Sequence, residues 1–248
     1  MTRNKLFASM CILGLFSANV SAESIDDVKK KIHDKLSSYK TMQFKTKTTT
    51  DMTNEQFSMK SDSTSNIEAA KKGDKVLSRM EMTTKGETKF SGQSQKTDSN
   101  MVVVCDGDYI YTYSDAQGMK SATKQKVDKN NFTNFFDHMN SWKQMEQTHT
   151  FKLAPDETVD GKPCWVIESN MKNAPAGMPA QGKSLSYYDK STGISLKSVA
   201  YDDKGKVTTT STTTDIKLDG SIPPDKFVFK APAGVEVVDQ AELMKRGG

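Results

Sequence analysis

Histidine and cysteine, on which metal sites and many active sites are built, are scarce in this sequence. Each occurs only three times among 248 residues. His33, His138 and His149 lie far apart, and no pair has the spacing of zinc ligands. No Gly-x-Ser-x-Gly nucleophile motif occurs either. We therefore expect no metal site, no cofactor and no catalysis.

Charge of one sign is never concentrated, and the formal net charge is only +4. Proteins that bind nucleic acids usually carry a dense basic patch, so this class of protein is excluded. Hydrophobic residues amount to only 35% of the chain. A thin core, a core shared with a bound apolar ligand, or disordered segments would each account for that low fraction.

A continuous apolar run does occur at the N-terminus. Arg3 and Lys5 precede an apolar stretch at residues 6–16, and Val20-Ser21-Ala22 follows it. The stretch is about half as long as a helix that spans a bilayer. Residues 1–22 are therefore predicted to form a secretory signal peptide that is cleaved after Ala22.

Cys11, inside the apolar stretch, raises the alternative of a lipid anchor. Met10 before it is larger than the residue that such an anchor prefers, so export without an anchor is the favoured interpretation. No later stretch is long and apolar enough to span a membrane. We expect residues 23–248 to form a single domain.

Two cysteines remain after this cleavage, Cys105 and Cys164. In an exported protein such a pair more often forms a disulfide than a metal site. A disulfide between them is therefore expected, provided that the predicted strands carrying them lie close enough together.

Alternation of apolar and polar residues predicts that most of the chain is β-strand. This period of two is found at residues 41–53, 57–63, 76–84, 150–155 and 164–170. The sharpest hairpin signal is at residues 100–114, where Asp106-Gly107-Asp108 separates two apolar runs. A helix is predicted at residues 24–39, with Ser24 as its cap.

A second predicted helix, at residues 130–145, has one strongly apolar side. Its large apolar residues recur at helical spacing: Phe132, Phe135, Phe136, Met139 and Trp142. A helix packed on a sheet explains this pattern, and so does a lid that covers a cavity.

Methionine is frequent, with 14 in the chain. Several methionines alternate with polar residues in predicted strands: Met42, Met59, Met80 and Met82. Unbranched thioether side chains fill gaps in an irregular core, and they also make a soft wall for flexible acyl chains. The sequence leaves both interpretations open.

One stretch matches the phosphate-binding motif Gly-x-x-x-x-Gly-Lys-Ser, from Gly177 to Ser184. Such a loop needs a strand before it and a helix after it. The residues after Ser184 have the pattern of a strand, and Pro179 lacks an amide that would face the phosphate. We therefore expect no nucleotide site.

The most distinctive part of the chain is its last quarter, residues 184–239. Strand-like runs at residues 185–189, 194–201 and 206–218 are separated by turns that contain glycine. Pro223 and Pro224 then end the strand pattern, because proline lacks the amide donor that a sheet requires. A short apolar segment follows at residues 227–229.

This order of elements resembles the C-terminal half of the LolA-like family, the periplasmic carriers of outer-membrane lipoproteins. The residues that match the family pattern are Tyr187, Tyr188, Asp189, Thr192, Gly193, Leu196, Ile222, Pro223, Phe227, Phe229, Pro232, Gly234 and Val237. The Asp106-Gly107 hairpin and residues 73–82 are similar to earlier parts of the pattern. There Arg79 takes the place of the arginine that ties the lid to the barrel in the family, although no tryptophan follows it.

The resemblance implies a mainly β fold, an incomplete, curved antiparallel β-barrel with helices covering its open side. It implies a monomeric periplasmic carrier that binds acyl chains of lipoproteins or lipids and delivers them toward the outer membrane. Partner proteins in the inner and outer membranes would belong to this role. The alternative is a regulatory or sensory binder of the same fold, similar to RseB-like proteins, that acts through a membrane partner.

The same resemblance implies which residues line the lipid cavity. They are apolar residues of the strands and of the second helix: Met42, Phe44, Met59, Met80, Met82, Val102, Val104, Phe132, Phe135, Phe136, Met139, Trp165, Ile167, Tyr187 and Leu196. Arg79 is expected to be the latch of the lid.

Overall fold

The computed structural model describes residues 23–53, 57–90, 92–128, 134–172 and 181–242. The predicted signal peptide, Phe132 and Gly177 lie outside these ranges. Within them the chain forms twelve β-strands and two α-helices, α1 (Ile25–Ser38) and α2 (His138–Met145). The strands are β1 (Thr41–Thr53), β2 (Phe57–Lys72), β3 (Lys75–Phe90), β4 (Gln93–Cys105), β5 (Tyr109–Ala116), β6 (Met119–Lys126), β7 (His149–Val159), β8 (Lys162–Met171), β9 (Gln181–Asp189), β10 (Ser195–Asp202), β11 (Val207–Leu218) and β12 (Val237–Asp239).

All twelve strands belong to one curved sheet with the order β12-β6-β5-β4-β3-β2-β1-β11-β10-β9-β8-β7. Neighbouring strands are antiparallel, except that β12 pairs with β6 in parallel. In the described part of the chain β7 and β12 remain as two separate edges, so the sheet does not close. The predicted fold class, an incomplete curved barrel with helices, is confirmed.

Paired residues on adjacent strands place their side chains on the same face of a sheet, which gives this sheet two distinct faces. We call the face that α1 and α2 cover the inner face. It carries Phe44, whose ring lies 6.3 Å from that of Phe135, and Tyr188, whose ring lies 6.0 Å from that of Trp142. The opposite face is called the outer face.

Helix α1 begins where the sequence predicts. Ser24 and Asp27 form a capping box, in which the Ser24 hydroxyl accepts a hydrogen bond from Asp27 N at 3.1 Å. The helix buries one stripe, made of Val28, Lys29, Ile32 and Leu36. Gly193, in the turn after β9, lies beneath this helix with φ +77°, and a Cβ there would be 3.1 Å from Ile32 O. The turn therefore requires glycine both for its conformation and for this close approach.

Helix α2 is shorter than the helix predicted for residues 130–145. Asp137 caps it, since its carboxylate accepts a hydrogen bond from Asn140 N at 3.2 Å. Before the cap, Asn134 Oδ1 accepts a hydrogen bond from Phe136 N at 2.9 Å. The helix prediction is wrong for residues 134–137, because these side chains bind the backbone donors and hold the chain in a turn.

The segment after β11 packs on the outer face. A 3-10 turn at Pro224–Phe227 buries Phe227, and the Phe229 ring stacks on Tyr111 with 5.1 Å between the ring centroids. The chain then adds β12 beside β6, where Val237 pairs with Ala122. The C-terminal segment thus shields one part of the outer face from water.

Candidate functional site: a cavity between the sheet and α2

A cavity of about 400 Å³ lies between the inner face and α2. Its apolar wall comes from α1, the first strand, α2 and the chain around β9: Leu36, Met42, Phe44, Phe135, Trp142, Met145, Tyr188 and Ile194. The volume is near the lower end of the range of about 300–1,000 Å³ that ligand pockets occupy. The cavity therefore has the size and the lining of a site for one small apolar ligand or one chain.

The aromatic residues of this wall contact one another edge to face. The ring planes of Phe44 and Phe135 form an angle of 74°, and those of Trp142 and Tyr188 an angle of 72°. Burial raises the pKa of Tyr188 to about 12, so its hydroxyl stays neutral near pH 7. These contacts join α2 and the turn before it to the sheet, so a few aromatic pairs hold the segment that covers the cavity.

The remaining wall of the cavity is polar but almost uncharged. The sheet contributes Thr46, Ser195, Ser198, Ser211 and Thr213, and the α2 side contributes Asn134, His138 and Ser141. Lys197 is the one lysine, arginine, aspartate or glutamate in the described lining. Its ammonium lies 5.3 Å from the centre of the Tyr187 ring, which belongs to the outer face.

His138 is the unusual polar group of this cavity. Its Nδ1 atom is buried and has no hydrogen-bond partner among the residues that the structure describes. Burial, together with the nearby His33, lowers the pKa of His138 to about 4, although Asp137 opposes the shift. The imidazole is therefore neutral near pH 7 and has an unused polar atom.

An ion pair joins the two helices that cover the inner face. Lys29 of α1 is buried, and its ammonium lies 2.6 Å from a carboxylate oxygen of Glu146, the residue that ends α2. The hydrogen bond from Lys29 lowers the pKa of Glu146. The same ammonium lies 4.4 Å from the centre of the Phe151 ring. This contact fixes the C-terminal end of α2 over the sheet.

The structure brings several predicted cavity residues together. Met42, Phe44 and Phe135 line the cavity, and Phe136 is buried with the Lys71 ammonium 4.8 Å from its ring centre. Met139 instead lies on the exposed side of α2, with 41% of its surface accessible.

Other predicted residues share the inner face without lining this cavity. Trp165 and Ile167 are buried in β8, where Trp165 pairs with Tyr188. Met80 pairs with Ile67, while Met59 and Met82 lie farther along the strands on the same face. Leu196 is also buried outside the cavity lining, at a β-bulge in β10 where it has no paired residue on β9.

Three predicted cavity residues face the other way. Val102 pairs with Glu81, and Val104 pairs with Arg79, so both valines belong to the outer face. Tyr187 pairs with Val166 on the outer face as well. Placing them in the inner cavity is therefore wrong, since neighbouring residues of a strand point to opposite faces.

Arg79 contacts the C-terminal segment rather than α2. Its Nε donates a hydrogen bond to Glu81 at 2.7 Å, and its Nη1 donates to Lys226 O at 3.4 Å. Arg79 also lines a second cavity of about 400 Å³ on the outer face, with Val102, Tyr113 and residues of that segment. The predicted role as a latch for the helical lid is wrong, because Arg79 and α2 lie on opposite faces of the sheet.

The disulfide expected between Cys105 and Cys164 is not formed. Both thiols are free and buried. Cys105 pairs with Ser78 on the inner face, whereas Cys164 pairs with Asp189 on the outer face, and six strands separate β4 from β8. Such a separation is incompatible with disulfide geometry.

Other candidate sites are absent from the described ranges. Gly182, Lys183 and Ser184 lie in β9, where the Ser184 hydroxyl is 2.7 Å from that of Ser169, and the strand continues to Asp189. No group of three metal-binding side chains occurs among the residues that the structure covers. None of the helices in these ranges has the length and apolar character needed to cross a membrane.

Sequence reasoning misses part of the site. It identifies Trp142 only as a member of an apolar helix stripe, and His138 only as an isolated histidine. It does not assign Tyr188 and Met145 to the cavity, nor the serines and threonines of the strands. The strand alternation gives a usable signal for Tyr188, which lies on the same face as its neighbour Trp165.

Comparisons with known proteins agree with this architecture at the level of fold. No protein-family model matches the chain, and no curated protein sequence is similar to it. An uncharacterized conserved protein from Thermus thermophilus has 12% identity and a TM-score of 0.50, and the match covers 86% of this chain and 98% of that one. This likeness shows a shared fold.

Two further structures are similar over much of this chain. MucB in the Pseudomonas aeruginosa MucA/MucB complex has 15% identity and a TM-score of 0.46, with 82% of this chain and 60% of that chain covered. LprF from Mycobacterium bovis has 5% identity and a TM-score of 0.41, with 81% and 97% covered. The chain thus spans about 60–64% of the length of the MucB chains that it matches. The incomplete barrel that the LolA-like resemblance implies is the fold that this chain has.

Proposed function

We propose that this protein is an exported, non-catalytic binding protein that holds an acyl chain of a lipid or lipoprotein in the cavity beneath α2. The observation that carries this proposal is the cavity itself, about 400 Å³ in volume, with its wall of methionine, leucine and aromatic side chains. Transfer of a chain from water into such a wall is favourable by about 0.8 kcal/mol per CH₂ group.

The roof of the cavity is suited to reversible binding. Helix α2 has only eight residues, and Trp142 is the one among them that is buried as a whole residue. Its contacts with the sheet and α1 include the Trp142–Tyr188 aromatic pair and the Lys29–Glu146 ion pair. A short helix with few contacts opens at a lower free-energy cost than a whole domain unfolds, so movement of α2 would admit and release the chain.

Carriage toward the outer membrane is the role that fits such reversible binding best. The predicted signal peptide supports a periplasmic location, and the resemblance to LolA-like carriers supports partner proteins in the two membranes. A carrier must also release its ligand to an acceptor, which distinguishes it from a sensory binder that keeps its ligand while it engages a membrane partner.

A cavity-filling variant tests the binding step. The neutral fluorescent probe N-phenyl-1-naphthylamine should bind the protein and be displaced by dodecanol. Thr213→Phe places a ring in the cavity, since Thr213 lines it, and should weaken probe binding at least about tenfold.

Thr212→Phe is the matched control. Thr212 is the neighbouring residue of the same type, but it pairs with Lys47 and Lys197 on the outer face. Equal binding by both variants, or no binding of probe by the unmodified protein, would contradict the proposed function.

A further inference from the structure

The inner face carries a row of hydroxyl groups that crosses the middle of the sheet. Successive paired residues on β4, β3, β2, β1, β11, β10 and β9 are all serine or threonine: Ser99, Thr84, Ser63, Thr48, Ser211, Ser198 and Ser186. We call these seven residues the hydroxyl row. At the usual spacing of adjacent strands the row extends about 30 Å.

The row differs from the outer face of the same strands. On β2, β3 and β4 the adjacent line of the outer face is charged, because Asp62 pairs with Lys85 and Lys85 pairs with Asp98. On β1, β11, β10 and β9 that line continues with Thr49, Thr210, Val199 and Leu185. The row itself has no charged member. The hydroxyl row is therefore uncharged across all seven strands, and each of its seven residues is half-buried.

Hydroxyl groups of the row keep unused hydrogen-bonding capacity. Thr48 donates to Ser211 at 3.0 Å, and the hydroxyls of Ser63 and Thr84 are 2.8 Å apart. A hydroxyl has one donor and two acceptor positions. Each pair uses one of its two protons, so each retains a donor and several acceptor positions for another molecule.

The row is continuous with the cavity. Ser198 and Ser211 belong to both, and Thr46 and Thr213, one position closer to the apolar wall, line the cavity beside them. From the other side His138 lines the same cavity, with its buried Nδ1 atom lacking a partner in the described part of the chain. An apolar compartment thus leads directly to a neutral, hydrogen-bonding one.

We infer that the ligand is an amphiphile with one apolar chain in the cavity and an uncharged, hydrogen-bonding headgroup on the hydroxyl row. This inference rests on the proposed function and specifies its ligand class. A charged headgroup would lose hydration at this site without gaining an ion pair, because no carboxylate occurs in the described lining and the ammonium of Lys197 lies against the Tyr187 ring of the outer face. A sugar and an amide both have the required chemistry.

Four amphiphiles with the same twelve-carbon chain test this inference by calorimetric titration below their aggregation concentrations. Dodecyl maltoside has a neutral sugar headgroup, and N-dodecanoylserinamide has a neutral amide headgroup. Dodecanol has only a single hydroxyl, and dodecanoate has an anionic headgroup. At least one of the two larger neutral headgroups should bind about fivefold to tenfold more tightly than dodecanol, the effect of one or two net hydrogen bonds. Dodecanoate should bind more weakly than either.

Removing one pair of hydroxyl groups from the row tests whether the headgroup binds there. Thr48→Val combined with Ser211→Ala deletes both partners of one hydrogen bond, which is nearly neutral for stability. The pair of changes should abolish the advantage of the neutral headgroup over dodecanol, with both ligands measured on the same variant. Thr210→Val combined with Thr212→Val alters the outer face of the same strand and should leave all four affinities unchanged.

The outcomes separate the two proposals. If all four amphiphiles bind and the neutral headgroups have no advantage, or the advantage survives in the Thr48 and Ser211 variant, the headgroup inference is wrong and chain binding stands. If dodecanoate binds tightest, the inference is wrong as well. If none of the four binds, the proposed function itself fails, and the inference fails with it.

Discussion

His138 is the residue whose chemistry departs most from what its position in the sequence indicates. It lies at the start of a surface helix, yet its ring is packed against Trp142 with 5.7 Å between centroids, and its Nδ1 is buried. Burial lowers its pKa to about 4. Two titratable groups lie near His138: His33 lowers its pKa further, and Asp137 raises it.

This shift predicts a pH dependence of stability. The unfolded chain takes up a proton at His138 near pH 6.5, whereas the folded protein does so only near pH 4. The contribution of neutral, buried His138 to the free energy of unfolding is therefore complete above pH 6.5. It is lost as the pH falls toward 4. Between pH 7 and pH 4.5 the unmodified protein should lose about 2–3 kcal/mol more unfolding free energy in urea than His138→Gln loses.

The control for this measurement is His149→Gln. His149 lies in β7 and stacks on Phe151, away from the contact between His138 and Trp142. Comparison of the two variants separates the loss of His138 from the loss of any one histidine. An unchanged pH dependence in His138→Gln would show that His138 is accessible and protonates freely.

At the scale of elements, α2 is held at its C-terminal end by a buried cation. Lys29 has 4% of its side chain exposed, whereas its partner Glu146 has 48% exposed. Loss of the carboxylate leaves a buried ammonium without its anionic partner, but loss of the ammonium leaves a carboxylate that water hydrates. Removing Glu146 should therefore lower the stability of the protein more than removing Lys29.

Glu146→Gln should destabilise the protein by about 1–3 kcal/mol. Lys29→Met should cost less, because an apolar chain of similar length fills the same buried space. Urea unfolding shows which of the two variants loses more unfolding free energy. In Glu146→Gln, hydrogen exchange of the α2 amides should also become faster. A larger loss in Lys29→Met than in Glu146→Gln would contradict this account of the helix contact.

The elements themselves are largely predictable from local patterns. The alternation at residues 41–53 gives the bounds of β1, and Ser24 marks the start of α1. β6 and β12 escape prediction, because Met119–Lys126 is mostly polar and β12 has only three residues. The predicted start of α2 is misplaced, since Asn134 and Asp137 bind backbone amides that the apolar spacing assigns to a helix.

The facing of side chains across the whole molecule is harder to predict. Alternation shows that Val102 and Val103 point to opposite faces, but only the register with β3 shows which of them shares a face with Met80. Register also places Cys105 and Cys164 on opposite faces. Pairings such as Thr48 with Ser211 join residues from distant parts of the chain, so the hydroxyl row has no local signature.

At the scale of the whole molecule, the central claim is that the space between the open sheet and its helices holds an apolar chain. A ligand that binds only the folded protein also stabilises it, by about 2.7 kcal/mol at one hundred times its dissociation constant. A ligand that dissociates slowly, because α2 must open to release it, should persist through purification when no detergent is present. The Thr213→Phe variant, whose cavity is filled, provides the comparison.

Native mass spectrometry of the protein, purified without detergent and followed by organic extraction, tests this claim most directly. We predict a mass above that of the polypeptide, an extracted amphiphile with an acyl chain, and loss of both in Thr213→Phe but not in Thr212→Phe. A polypeptide mass alone, with no uptake of added dodecyl amphiphiles, would contradict the claim.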